Sequence, residues 1–170
     1  MTPRADKPEM MIMDACVLID FIKVEPTVLQ LIVKHVGPVH VASPVVDEIN
    51  EIDNEEQLAE LGLIIVEPEL EDAFTAAGGI GPTSFQDRLC LLTAKRHGFT
   101  CVTNDKNLRK LCENENIPLL WGLELLARLY QTGSITAKDA IDIAQQIHRT
   151  NPMHITDKIV KRFVDIIRKQ

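Results

Sequence analysis

Two aspartates stand directly behind short apolar runs, where a charged side chain is costly unless something compensates it. Asp14 ends the run MMIMD, and Asp105 ends the run FTCVTND. Short runs of this kind are consistent with buried strands. Because ligands of an open parallel sheet collect beyond the carboxyl ends of its strands, both carboxylates are candidates for chemistry at one sheet edge. Each could instead cap the helix that follows it, and for Asp105 taken alone capping is the better interpretation.

Two further acids lie on the inward faces of predicted helices. Glu48 shares an arc of roughly 100° with the apolar residues of a helix over 44–52, since each residue turns about 100°. Asp87 lies on the apolar stripe of a helix that begins near Ser84, and it falls in the first turn. Ser84-x-x-Asp87 also resembles a capping box, a role that is compatible with a place in a site.

Four acids from different elements, Asp14, Glu48, Asp87 and Asp105, are therefore expected to converge. Such a cluster repels itself unless a cation neutralises it. The five histidines are scattered, and oxygen ligands without His or Cys partners suit Mg²⁺ or Mn²⁺ rather than zinc. A hard divalent ion in an open acidic pocket is a common means of phosphodiester cleavage, because it activates water and stabilises the departing oxygen.

The elements that must position these acids follow from the alternation of short apolar runs with helical stretches, which predicts an α/β domain with a mostly parallel sheet. Strands are predicted over residues 10–13, 39–42, 63–66, 100–103 and 118–120. Helices are predicted over residues 17–24, 27–36, 44–52, 55–61, 69–77, 84–97 and 106–115.

The pattern changes after Trp121, where only helices are predicted, over residues 123–131, 136–149 and 156–168. We therefore predict a domain over residues 1–121 and a helical C-terminal extension over residues 122–170 packed on it. Apolar stripes on this extension need a buried partner. The sheet domain is the simplest partner, with a second copy or another protein as the alternatives, and we also expect a homo-oligomer, a dimer.

Composition narrows the class of protein. The chain has 170 residues and a formal net charge of −7. No stretch approaches the roughly 18 unbroken apolar residues of a membrane span, and MTPRADKPEM is unlike a signal peptide, so no membrane association and a cytoplasmic location are expected. The four cysteines have no C-x-x-C spacing, which favours reduced thiols over zinc or disulfides.

The charge is unevenly distributed. Residues 35–87 contain twelve acids and no Lys or Arg, whereas residues 88–110 contain six basic residues and one Asp. The basic stretch flanks two of the candidate acids and could hold the phosphates of a bound strand. Lys106 and Arg109 lie closest to the acid edge and are the RNA-binding candidates, although solvated side chains are the simpler interpretation for most of the stretch.

Four segments in order, MIMDACVLIDF, SPVVDEI, TSFQDRLCLLTAKRHG and CVTNDKNLR, resemble the PIN-domain nucleases, including VapC-type toxins. The match covers roughly residues 10–120. One departure is that Ala15-Cys16 stands where the family often has small polar residues or Asn. The resemblance implies a three-layer α/β/α fold and an endoribonuclease that depends on Mg²⁺ or Mn²⁺.

The resemblance also implies roles for individual residues. Asp14, Asp87 and Asp105 would be direct metal ligands, and Glu48 would act through a water or orient the nucleophile. The supporting positions would be Ser84, Thr103 and Asn104. The implied setting is the toxin of a toxin–antitoxin pair, with an antitoxin protein as partner and RNA as substrate. An RNA-processing or quality-control nuclease is the next interpretation.

A function of a different class is a phospho-accepting signalling domain, which also groups acids around Mg²⁺ at strand ends. That chemistry needs two adjacent acids after the first strand, where this chain has only Asp14, and it leaves Glu48 and Asp87 without a role. A phosphatase of the haloacid-dehalogenase type needs D-x-D, and Asp14-Ala15-Cys16 lacks the second Asp. A non-catalytic interaction domain is a third possibility, which the presence of all four acids disfavours.

Overall fold

The computed structural model describes residues 8–170, which form a five-stranded sheet and ten helices. The strands are Met11–Met13 (β1), Val39–Ala42 (β2), Ile64–Val66 (β3), Thr100–Val102 (β4) and Leu119–Leu120 (β5). The first seven helices are Ala15–Val24 (α1), Thr27–His35 (α2), Ser43–Val46 (α3), Glu55–Glu60 (α4), Leu70–Ala77 (α5), Phe85–His97 (α6) and Lys106–Asn114 (α7). The last three are Gly122–Gln131 (α8), Ala137–Thr150 (α9) and Asp157–Lys169 (α10).

All four strand pairings are parallel, and the strand order is β3-β2-β1-β4-β5. The predicted α/β class with a parallel central sheet is confirmed, and helices flank the sheet as in a three-layer α/β/α fold. The three residues of β1 are fully buried, as expected where helices cover both faces of a parallel sheet.

The strand order reverses direction between β1 and β4. From β1 the chain moves outward through β2 to β3, and it then returns to place β4 on the other side of β1. The main-chain N–H of Asp14 donates to the carbonyl oxygen of Val102 at 3.0 Å, so the ends of the two strands are held together. Ligands of open α/β sheets bind in the crevice at such a switch point. The fold therefore brings the residues that follow β1 and β4 to the edge where a site is expected.

Helix α6 lies across β1, β2 and β4, with its first turn near this edge. The Ser84 side chain caps its start, and Gly98, in the left-handed conformation with φ of 71°, ends it. Glycine favours this conformation because it has no Cβ to clash.

The C-terminal helices are joined to the sheet region by a continuous hydrophobic core. Helix α8 contacts α2, α9 contacts α1, and α10 contacts both α8 and α9. Their inward side chains belong to the same cluster of buried residues as β1 and β2; they include Leu125, Leu126, Leu129, Ala144, Ile147 and Phe163. On α10, Val160 and Ile167 are buried with Phe163, whereas 41% of the Ile166 surface is exposed.

Candidate active site

Asp14 is the most enclosed of the candidate acids, with 4% of its surface exposed. It stands at the N-cap of α1, where its Oδ1 accepts a hydrogen bond of 2.8 Å from the Ala15 N–H. Its Oδ2 accepts from the Thr103 hydroxyl at 2.9 Å and from the Cys16 thiol at 3.2 Å. The carboxylate is thus fixed in orientation by donors from both β1–α1 and the end of β4.

The pKa of Asp14 is raised above its ordinary value of 3.8, chiefly because burial removes water from the carboxylate, and further by the negative charge of Asp87. The hydrogen bonds from Cys16, Thr103 and Ala15 act in the opposite direction. Burial and the charge of Asp87 therefore raise the pKa of Asp14 by more than the three hydrogen bonds lower it.

Glu48 lies close enough to Asp14 and Asp87 for their charges to act on it. It is half-buried, and its pKa is raised above the ordinary 4.5 by burial first and then by the charges of Asp14 and Asp87. The helix predicted over residues 44–52 is shorter, because α3 ends at Val46 and the chain continues in turns. Glu48 lies in the first of these turns, where its N–H donates to the Val45 carbonyl oxygen at 3.1 Å.

Asp87 occupies the first turn of α6 as half of a capping box. The Ser84 hydroxyl accepts from the Asp87 N–H at 3.0 Å, and Asp87 Oδ2 accepts from the Ser84 N–H at 3.1 Å. This leaves Asp87 Oδ1 without a hydrogen bond among the described residues. The capping box thus holds Asp87 in place, while its charge acts on Asp14 and Glu48.

Asp105 is connected to the cluster less directly. It caps α7, where its Oδ1 accepts from the Leu108 N–H at 2.8 Å. Its own N–H donates at 3.0 Å to the Thr103 hydroxyl, which in turn donates to Asp14. Asp105 is not among the charges that shift the pKa of Asp14 or Glu48. The charges of Asp87 and Asp14 thus act within one group of Asp14, Glu48 and Asp87, whereas Asp105 is linked to Asp14 only through its main-chain N–H and the Thr103 hydroxyl.

The other predicted residues divide into structural and exposed ones. Buried Asn104 accepts from the Gly122 N–H at 3.0 Å and so fixes the start of α8 to the end of β4. Lys106 is exposed at the first turn of α7. The Arg109 guanidinium carbon lies 3.4 Å from the centroid of the Trp121 ring, a cation–π contact, and its Nη1 donates to the Thr103 carbonyl oxygen at 3.4 Å. Arg109 is therefore already engaged within the fold.

Two features at the site were missed from sequence. The first is the hydrogen bond from the Cys16 thiol to Asp14. The second is Asp20 on α1, which is 5% exposed and accepts from Asn151 Nδ2 at 3.1 and 3.4 Å. Asp20 could have been identified in the same way as Glu48, from its position on the apolar face of a helix, since it lies on the same side of α1 as Val17 and Val24. Its partner, 131 residues away, had no local signal.

Within residues 8–170, no group of three or more His, Cys, Asp and Glu side chains is arranged to hold a metal ion. In the same residues, no helix is both long enough and apolar enough to cross a membrane. No protein-family model matches the sequence, and a search of curated proteins gave no match either.

Proposed function

We propose that this protein is a PIN-like endoribonuclease that hydrolyses RNA phosphodiester bonds with Mg²⁺ or Mn²⁺ bound at Asp14, Glu48 and Asp87. The observation that carries the proposal is electrostatic. Each of Asp14 and Glu48 has its pKa raised first by burial and then by neighbouring carboxylates, and no basic side chain among the described residues lowers either pKa. A self-repelling cluster at a topological switch point is complementary to a cation.

The donor set fits a hard divalent ion. All the candidate ligand atoms are carboxylate oxygens, which Mg²⁺ and Mn²⁺ favour over softer donors. A carboxylate has about four lone-pair sites, so Asp14, with three hydrogen bonds, and Asp87, with one, both keep acceptor capacity. Mg²⁺ typically retains several waters and takes only one or two carboxylates together with substrate phosphates, so a cage of three or more protein ligands is not required.

When bound, such an ion would activate water and stabilise the departing oxygen of the phosphodiester. The protein side chains would orient the metal ligands and the water. Thr103 and Cys16 hold the Asp14 carboxylate in one orientation, and the capping box holds Asp87. Glu48 makes no side-chain hydrogen bond among the described residues and has a raised pKa, which suits a group that orients or exchanges a proton with water. Asp105 would support the metal through Thr103 or as an additional ligand.

The substrate class comes from the resemblance to PIN domains, which also suggests the setting. We propose RNA as the substrate, with exposed Lys106 contacting its phosphates. The proposed setting is the toxin of a toxin–antitoxin pair acting as a dimer. A short DNA-binding antitoxin gene next to this one, whose product binds the purified protein, is the expected finding; a neighbouring RNA-processing operon would favour the quality-control role.

Metal dependence tests the activity. We expect the purified full-length protein to cleave single-stranded or structured RNA with Mn²⁺ or Mg²⁺ and to be inactive in EDTA. Asp72→Asn serves as the control and should retain cleavage, because the charge of Asp72 does not contribute to the pKa shifts of Asp14 or Glu48. Robust cleavage in chelator, or none with either metal across a panel of RNAs, would contradict the proposal.

A further inference from the structure

A cavity of about 310 Å³ opens beside the acid cluster, between α1, the β4–α7 connection and the α9–α10 connection. We call it the link pocket. Its wall includes Cys16 and Asp105 on the side of the cluster and Asn151 and His154 on the side of the C-terminal helices. The pocket therefore lies next to the candidate active site, since the Cys16 thiol in its wall donates to Asp14 at 3.2 Å, and the C-terminal extension supplies one of its walls.

The polarity of the link pocket distinguishes it from the cleft between α8 and α10. That cleft is lined mainly by apolar side chains such as Leu123, Ile159 and Phe163. The link pocket is lined by two acids, two amides, Lys23 and His154 together with Ile19, Cys16 and Thr150, so polar groups are set in a wall whose exposed surface is still mostly apolar. Its size lies at the lower end of the roughly 300–1,000 Å³ of small-molecule sites. A compact ligand with an apolar body and polar edges, such as an aromatic base, fits such a wall.

A chain of hydrogen bonds runs along this wall from the interior to the surface. Buried Asp20 accepts from the Asn151 amide, and Asn151 Oδ1 lies 3.0 Å from Nδ1 of exposed His154. The pKa of Asp20 is raised by burial, while Asn151 and the nearby His154 and Lys23 lower it. Asp20 has no ion pair among the described residues, so a buried acceptor group stands in a polar cavity next to the site.

We propose that the link pocket holds the unpaired base of the nucleotide adjacent to the cleaved phosphate, and that it prefers bases with an exocyclic amino group, namely adenine, cytosine and guanine, over uracil. This inference rests on the proposed ribonuclease activity. Proteins read single-stranded RNA by hydrogen bonds to the Watson–Crick edges of splayed-out bases. When ionised, Asp20 and Asp105 accept hydrogen bonds and donate none, so they favour a base that donates through an amino group. Uracil presents carbonyl oxygens on both sides of its one N–H, and these face the carboxylates unfavourably.

The competing explanation is that Asp20 and Asn151 only tether the α9–α10 connection to α1. In that case Asn151→Ala would lower stability, but it would have no effect on the discrimination between bases. The two explanations are separated by a direct binding measurement.

The four ribonucleosides are suitable probes, because without phosphate they need no cation to approach the acids. They are titrated in EDTA into the isotope-labelled full chain, and binding is followed by amide NMR shifts. We expect adenosine, cytidine and guanosine to bind more tightly than uridine, with shifts around Asn104, Asn151 and His154. Asn151→Ala should weaken the tighter binders by about three- to tenfold, the effect of one lost hydrogen bond. Asn114→Ala, at an exposed position near the end of α7, is the matched control and should bind as the parent does.

Asp20→Asn is the second variant, and it should reduce the preference over uridine, because the amide replaces a carboxylate acceptor. If Asp20→Asn does not fold, the inference is tested by nucleoside binding to Asn151→Ala, whose thermal melt should match that of the parent. Equal binding of all four nucleosides, no saturable binding, or parent-like binding by Asn151→Ala would overturn the inference. RNA cleavage with Mn²⁺ is measured on the same parent sample. Failure of the proposed activity would appear as no cleavage, independently of the nucleoside result.

Discussion

Asp14 and Asp72 are both aspartates with little exposed surface, 4% and 7%, but their surroundings act on them in opposite directions. Asp72, on α5, receives two hydrogen bonds from Arg96, 2.7 Å from Nε and 2.9 Å from Nη2, and the pKa of its carboxyl is lowered by this partner. Asp14 faces other acids, and its pKa is raised. The difference lies in whether the fold supplies a cation of its own.

This contrast separates two uses of a covered acid. The Arg96 side chain lies over Asp72 and joins α6 to α5, so the charge is neutralised within the chain and stabilises the packing of two helices. The charges of Asp14, Glu48 and Asp87 are not neutralised by any described residue, so their grouping opposes folding of the metal-free protein. An arrangement that costs stability and is nonetheless built from two helix caps and a turn suggests a functional origin.

The largest expected effect of breaking the cluster is on activity. Asp14→Asn keeps the shape of the side chain but removes the charge, so RNA cleavage with Mn²⁺ should fall by more than the roughly 10- to 100-fold that loss of an outer-shell partner costs. Asp72→Asn should cleave RNA at nearly the parent rate. Initial rates on one defined RNA measure both, and equal losses in the two variants would remove the distinction between the acids.

The second expected effect is on stability, and it has opposite signs in the two regions. In EDTA at pH 7, Asp72→Asn should melt a few degrees below the parent, because it leaves Arg96 without its carboxylate. Glu48→Gln should melt at or above the parent temperature, because it removes repulsion without removing a hydrogen bond. Thermal melts of the three proteins in the same buffer compare these signs directly.

Glu48 and Asp72 are also expected to make the stability of the folded protein depend on pH in opposite directions. A carboxyl with a raised pKa binds more protons in the folded state, so its contribution favours folding below its ordinary value, 4.5 for Glu48, and is lost as the pH rises through the folded-state pKa. The contribution of Asp72 is present above 3.8 and is lost as the pH falls through its lowered pKa. The advantage of Glu48→Gln should therefore grow from pH 4 to pH 8, whereas the deficit of Asp72→Asn should shrink below pH 4. Parallel curves for both variants would contradict this account.

The comparison extends to two basic residues. Arg109 is engaged by Trp121, so Arg109→Ala should destabilise the protein by about 0.5–1 kcal/mol, as for a partly exposed cation–π contact. Lys106 makes no ion pair among the described residues, so Lys106→Ala should change stability by less than about 0.5 kcal/mol. Lys106→Ala should instead weaken RNA binding and reduce its salt dependence by about one unit of slope. Denaturant unfolding and salt titrations of RNA binding distinguish the two, and a Lys106→Ala variant with an unchanged salt slope would argue against its phosphate contact.

The smallest expected effect concerns the Cys16 thiol, which donates a hydrogen bond to Asp14. Cys16→Ala removes one donor, so the pKa of Asp14 should rise further, and the acid limb of the cleavage–pH profile should move up by less than about one pH unit. Cys16→Ser keeps a donor and should leave the limb near its parent position. A serine variant that shifts as far as the alanine variant would show that the thiol hydrogen bond is not the cause.

Much of the fold was predictable because its signals are local. The five strands were predicted to within one residue at each end, since each is a short apolar run bounded by polar or turn residues. The helix over 44–52 was wrong in extent. Its apolar spacing is real, and Ile49 is buried, but Asn50, Asp53 and Asn54 favour turns over helix. Asn54 then caps α4, where its side chain accepts from the Gln57 N–H at 3.2 Å.

The candidate site was predictable where its residues also have a local role. Asp14, Asp87 and Asp105 all cap helices, so their positions follow from the sequence around them. The contacts that join different parts of the chain could not be predicted in this way. The Thr103 hydroxyl bond to Asp14 spans 89 residues, and the Asn151 bond to Asp20 spans 131. Such pairs depend on the packing of whole elements, which single-sequence patterns do not specify.

The central claim is that the cluster of Asp14, Glu48 and Asp87 is completed by a divalent cation, and Mn²⁺ binding tests it most directly. The loss of the free Mn²⁺ signal in electron paramagnetic resonance measures binding by the parent, Asp14→Asn, Glu48→Gln and Asp72→Asn proteins without any RNA. We predict saturable binding by the parent and by Asp72→Asn, and clearly weaker binding by the other two variants. No saturable binding by the parent, or equal binding by all four proteins, would contradict the claim.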